Sequence, residues 1–191
     1  MRGRAPKRAS PPPETEPHEG NAGGRRRVLG IDPGYDRTGF AVLEHSRDGE
    51  IEVIASGTIE TAKEIPYPQR LMSIYKSLRG IIKKHAPNEL AIEQLFYGKN
   101  AKTAIRVAQA RGVVILTAEM FGLPLFEYSP RKVKLFLQGS GTATKDQVRY
   151  MVRQTVKLGD EKRFDDEIDA LAVALVHADM RMRNLDDDSG V

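Results

Sequence analysis

A chain of 191 residues with 29% charged side chains and no cysteine is sized for one domain with a sizeable core, and it excludes disulfides, thiolate metal sites and a cysteine nucleophile. No apolar run approaches the roughly 18 residues of a membrane span, and the N-terminus lacks the apolar core of a secretory signal, so a cytoplasmic protein is expected. The net charge of +4 sits in the first 27 residues, where seven Lys/Arg face three Glu, and the remainder is neutral overall.

Residues 1–26, rich in Pro, Gly, Arg and Glu, hold too little apolar surface to offset the entropy of ordering and are expected to form a disordered basic tail. The folded domain is expected over 27–181, followed by an acidic tail over 182–191. Val28-Leu29-Gly30-Ile31 reads as a buried strand, stopped by the turn Asp32-Pro33-Gly34. Thr38–Glu44 and Ile51–Thr58 read as two more strands joined around Arg47-Asp48-Gly49, which gives an antiparallel meander. From Gln69 to His85 the apolar residues change to helical spacing (Leu71, Ile74, Tyr75, Leu78, Ile81, Ile82), and Pro87 ends that helix. Leu90-Ala91-Ile92 is a short buried strand ending at Glu93. A helix over Ala101–Met120, a strand over Leu125–Tyr128, and helices over Pro130–Leu137, Lys145–Leu158 and Asp166–Arg181 complete the series. Gly139-Ser140-Gly141-Thr142 is expected to be a flexible loop. The fold class is therefore α/β, a mixed five-stranded sheet flanked by helices.

Charge within the neutral body is segregated. Lys99, Lys102, Arg106, Arg111, Arg131, Lys132, Lys134 and Lys145 face only Glu119 and Glu127 in the same stretch, which suggests a local face for a polyanion. A mixed, solvated surface is the ordinary alternative.

Four acids stand where folding alone would not place them. Asp32 and Glu93 each end a short apolar strand, and ligand sites gather at such strand ends. Asp169 is the one polar residue between Ile168 and Val176, and a lone buried carboxylate is costly unless paired, protonated or bound to metal. Asp166, three residues earlier, shares its helix face; Asp165 or Glu167 could in principle take its place, but helical spacing favours Asp166 and is expected to point those two away. Four carboxylates without Cys or paired His suit Mg²⁺ or Mn²⁺, and two such ions would offset the mutual repulsion and clamp a phosphodiester. Singly, Asp32 also reads as a turn former, Glu93 as a surface acid at a strand end and Asp166 as a helix cap.

Gly30-Ile31-Asp32-Pro33-Gly34, Ala91-Ile92-Glu93-Gln94, Ala108-Gln109-Ala110-Arg111-Gly112-Val113 and Asp166–Ala172, in that order and spacing, resemble the RuvC family of Holliday-junction resolvases over about residues 27–180. The resemblance implies a ribonuclease-H-like fold, a homodimer acting on four-way junction DNA, and two-metal hydrolysis leaving 5′-phosphates. It implies metal ligation by Asp32, Glu93, Asp166 and Asp169, with Lys134 and Lys145 near the scissile phosphate, and a junction-contacting aromatic at Phe96, for which core or dimer packing is the plainer alternative. It also suggests a RuvAB-type branch-migration partner. Lys99, Lys102, Arg106, Arg111 and Lys132 are the further expected DNA contacts. Two rivals are weighed. An actin-like or sugar-kinase-type ATPase shares a first phosphate loop like Gly30–Gly34 but needs a second domain and loop, and a catalytically silent junction-binding protein would not need all four acids.

Overall fold

A computed structural model describes residues 25–46, 48–95, 101–139, 141–158 and 161–183. The expected tails at 1–26 and 182–191 lie almost wholly outside these residues, as do Phe96, Lys99, Arg47 and Ser140. The side chain of Lys102 is also outside the description.

The meander forms as expected. Strands β1 (Arg26–Asp32), β2 (Arg37–His45) and β3 (Ile51–Glu60) pair antiparallel, with a register shift between Val42 and Leu43. Helix α1 (Tyr67–His85) leads to β4 (Glu89–Glu93), α2 (Ala101–Met120) and β5 (Leu125–Tyr128). Both β4 and β5 run parallel, β4 against β1 and β5 against β4, so the sheet order is β3-β2-β1-β4-β5. Helices α3 (Pro130–Gln138), α4 (Lys145–Thr155) and α5 (Asp165–Met182) follow.

Local chemistry explains most boundaries. Helix α1 starts at Tyr67, two residues before the expected Gln69, because Pro68 is accommodated in the first turn, where no backbone N–H is needed. Ser129 caps α3, and Thr144 with Gln147 forms a capping box at α4. Helix α4 stops at Thr155, short of the expected Leu158, and the backbone turns left-handed at Lys157. Strand β3 runs two residues past Thr58, and the Thr61 N–H then bonds to the Asp36 carbonyl.

The sheet separates two cores. Leu29, Ile31, Val42, Leu90 and Ile92 pack with Ile74, Leu78 and Ile82 of α1 and Ala110, Val114 and Ala118 of α2. Val28, Ala41, Leu43 and Ala91 pack on the other side with the apolar run of α5 and with residues of α3 and α4. Two glycines let α5 approach. A Cβ at Gly30 would lie 2.4 Å from the Ala170 carbonyl oxygen, and one at Gly39 would lie 1.8 Å from that of Asp166. The helix therefore rests almost directly on the backbone of β1 and β2.

Candidate active site

Strand parity decides which side chains meet. Side chains alternate between faces, and Val28 on β1 faces α5 while Leu29 and Ile31 face α1 and α2. Asp32 thus falls on the α5 side. The same alternation carries Glu89 and Glu93 to that side of β4, and Arg37 and Gly39 to that side of β2. Since Ile31 pairs with Ile92 in parallel register, Asp32 and Glu93 end neighbouring strands at one end of the sheet. The contact at Gly39 then brings the first turn of α5 over them.

A cavity of about 350 Å³ opens there, lined by Asp32, Glu93, Asp166 and Asp169, with Lys134 of α3 and Lys145 of α4. Lys145 Nζ lies 3.8 Å from Asp169 Oδ2. Arg37 Nε lies 2.8 Å from Asp166 Oδ2, yet this shielded oxygen accepts no properly directed hydrogen bond. Asp165 lines the rim as well, contrary to the expectation that it points away, and it pairs with Arg149 at 2.5 Å. A residue at the start of α5 looks toward both α4 and the cavity mouth, which the spacing argument did not resolve. Glu167 does turn away, accepting a hydrogen bond from Ser56 Oγ of β3 at 2.6 Å and pairing with Arg163.

Burial and crowding of like charge shape the electrostatics. Asp32 is pushed up to about 8, first by burial and then by Glu93, Asp169 and Asp166. Burial and the charge of Asp169 push Glu93 up to about 7, against the pull of Lys145 and Lys134. Asp169 is raised by burial, with Lys145 opposing. Each shift reports burial first and crowding by like charge after it. Among the described residues, no three acidic or histidine side chains are drawn together tightly enough to enclose an ion unaided. The donor set fits a hard divalent cation, being all carboxylate oxygen, with protonation-prone acids and a shielded, unbonded Asp166 oxygen to receive it.

The expected basic contacts divide. Lys134 and Lys145 reach the cavity. Arg111 is instead half-buried in an ion pair with Glu127 of β5, and Arg106 stacks its guanidinium over Tyr35 and Tyr67 at 5.5 and 5.4 Å. Lys132 lies over the Tyr128 ring at 5.6 Å. None of these three lines the cavity.

Two features escaped the sequence reading. One is Arg37, whose place on the α5 face was legible from its spacing to Ala41 and Leu43. The other is a buried network at the far end of the sheet. His177 Nε2 meets Glu89 Oε2 at 2.6 Å, its Nδ1 meets the Tyr128 hydroxyl at 2.8 Å, and Arg26 and Arg181 pair with Glu89. Burial raises Glu89, but the bonds from His177 and Arg181 prevail and hold it at about 2. No sequence motif announced this network, which depends on strand register and helix rotation.

A mixed sheet of order β3-β2-β1-β4-β5, with acids at the ends of β1 and β4 and on the helix above them, defines the ribonuclease-H-like class of nucleic-acid-cleaving enzymes. Within it, the chain belongs to the family described as "Crossover junction endodeoxyribonuclease RuvC", whose family model matches residues 28–177. These are metal-dependent nucleases. The chain is 45% identical over 151 residues to the RuvC of Roseiflexus sp. (strain RS-1), covering 79% of this chain and 89% of the relative. It is 43% identical to that of Syntrophomonas wolfei over 151 residues, 79% and 87% of the two chains. Among solved structures it is similar to T. thermophilus RuvC in complex with a Holliday junction substrate, with 29% identity, a TM-score of 0.77, and coverage of 83% and 96%. The yeast mitochondrial resolvase Ydc2, 15% identical with a TM-score of 0.59 over 83% and 81%, shares the fold.

Proposed function

We propose that this protein resolves four-way DNA junctions by metal-dependent nicking of two strands of like polarity, leaving 5′-phosphates, in recombination and repair. The observation that carries the proposal is the convergence of four carboxylates from β1, β4 and α5, with two lysines, on one open cavity. Asp32, Glu93, Asp166 and Asp169 would hold two Mg²⁺ or Mn²⁺ ions, which supply Lewis-acid activation of the phosphodiester and of the attacking water. The raised proton affinities of Asp32 and Glu93 keep these acids partly protonated until positive charge arrives. Lys145, 72% exposed on its side chain, has the freedom to leave Asp169 and bear on phosphate. Lys134 supplies a second point charge from α3.

Phe96, Lys99 and Lys102 are proposed junction contacts on family likeness. Arg106, Arg111 and Lys132 make the side-chain pairings above and are proposed phosphate contacts as well, Arg106 being the exposed one of the three. A homodimer would supply two sites for two cuts. Its support is an exposed stripe on α2, with Ile105 and Leu116 each 60% exposed and Met120 48%. A RuvAB-type branch-migration partner and a cytoplasmic place of action are supported by family membership. No described helix is long and apolar enough to cross a membrane.

The test is cleavage of an end-labelled synthetic four-way junction with Mg²⁺ or Mn²⁺, by wild type and Asp32→Asn. Paired symmetric nicks from the wild type alone, with the variant still binding, are expected. Tight binding without cleavage would leave a silent junction-binding protein, and ATP hydrolysis without DNA would favour the kinase-like alternative.

A further inference from the structure

Arg37 has no place in the nuclease reaction described above, yet its position is unusually constrained. It opens β2 on the α5 face, two residues before Gly39, where the sheet backbone nearly touches that of Asp166. The turn ahead of it is tight. A Cβ at Gly34 would lie 2.1 Å from the Arg37 carbonyl oxygen, and the Thr38 hydroxyl donates to the Gly34 carbonyl at 2.6 Å. The side chain is spread between two partners beside α5, with Nε 2.8 Å from Asp166 Oδ2 and the guanidinium carbon 5.2 Å from the Phe164 ring centroid. It is nonetheless 46% exposed, whereas the Asp166 side chain is 24% exposed. A half-exposed cation thus rests on a more buried oxygen that accepts no directed hydrogen bond from it. Such a contact is electrostatic and easily given up.

We propose that Arg37 is a positioning residue that stands in for the metal at Asp166 in the metal-free protein, so that it competes with the divalent cation and sets the affinity of the site. The inference deepens the metal-ligand role proposed for Asp166 and rests on it. The guanidinium lies against Asp166 and offsets the charge of that one carboxylate in the metal-free site. An arriving cation takes over that charge, and the guanidinium gives up Asp166 while keeping its contact with the exposed Phe164 ring.

The decisive measurement is calorimetric titration of the full chain with Mn²⁺, without DNA, for wild type, Arg37→Met, Arg37→Lys and Asp166→Asn. Arg37→Met keeps the aliphatic stem and removes the competitor, so Mn²⁺ should bind about threefold to fivefold more tightly, the scale of an exposed ion pair. Arg37→Lys should return the affinity toward wild type. Unchanged or weaker binding in Arg37→Met, with Asp166→Asn clearly weakened, would overturn the role of Arg37 and leave the metal-ligand role of Asp166 standing. Unaltered binding in Asp166→Asn would overturn both. A readout on the wild type guards against a misfolded variant. The Arg37 Nε–H resonance should shift as Mg²⁺ is added, and a stationary resonance would equally overturn the proposal.

Discussion

Asp32 shows how one side chain can oppose the fold that holds it. Its carboxyl is buried at the end of a central strand, and burial first, then the charges of Glu93, Asp169 and Asp166 around it, lift its proton affinity to about 8. In the unfolded chain an aspartate titrates near 4. Between those values the folded protein keeps protons that the unfolded chain has released, so rising pH favours unfolding. Glu93, at about 7, acts in the same sense. The melting temperature of the protein in a chelator should therefore fall as pH rises from about 5 to 8, and saturating Mg²⁺ should remove most of that slope. A flat or rising profile in chelator would contradict the crowded-carboxylate picture. Asp32→Asn removes one source of repulsion at no cost in shape. At pH 8 without metal it should melt a few degrees higher than wild type, roughly 2–4 °C for each kcal/mol relieved. Its cleavage should drop by more than the roughly 100-fold lost when a metal ligand's outer hydrogen-bond partner is removed.

At the scale of elements, α5 is the part whose placement makes the site, and glycine decides that placement. Alanine at Gly30 would drive a methyl group to 2.4 Å from a helix carbonyl, and at Gly39 to 1.8 Å. Neither neighbour is a flexible side chain, so the helix must move. Gly30→Ala should cost about 1–3 kcal/mol by overpacking, and Gly39→Ala should also abolish cleavage by displacing Asp166. Gly80 offers the internal control, being exposed within α1 with no neighbouring atom within 4 Å of the place a methyl group would take. Alanine there should stabilise by about 0.5–1 kcal/mol. Thermal melts of the three variants check this ordering, and a Gly39→Ala protein with wild-type cleavage would refute the close-approach account. The elements that build the site were legible in the sequence because Val28–Ile31 and Leu90–Ile92 are short apolar runs ended by Asp32 and Glu93, and Ile168–Val176 is an apolar run interrupted by Asp169. Strand parity, with Val28 and Ala91 facing α5, even carried Asp32 and Glu93 to one face. What the sequence did not disclose were pairings that need register and rotation together, such as Arg37 with Asp166, Arg111 with Glu127, and His177 with Glu89. Charge type suggested a DNA contact at Arg111 but did not disclose its ion pair with Glu127 of β5.

At the scale of the whole molecule, one cavity cannot make two simultaneous cuts, so paired nicking requires a second copy in fixed relation to the first. Helix α2 offers the surface for it. Its inner face (Ala110, Val114, Ala118) packs in the α1 side of the core, while Ile105, Leu116 and Met120 point into solvent at spacings that keep them on one stripe. Gly112 lies on the same stripe with open space above it, which lets a partner helix approach closely. Two-fold pairing of identical α2 stripes would be self-complementary, as a symmetric dimer requires. Leu116→Glu places like charges against each other across that axis without touching the core. The variant should sediment as a monomer where wild type is expected to sediment as a dimer, and its melting temperature measured on the isolated subunit should remain high, since Leu116 is 60% exposed and lies outside the packed core. On a four-way junction it should release single-nicked rather than doubly nicked product, because each cut then depends on an independent encounter. A Leu116→Glu protein that remains dimeric would place the interface elsewhere, and a monomer that still makes paired, simultaneous nicks would break the link between symmetry and resolution.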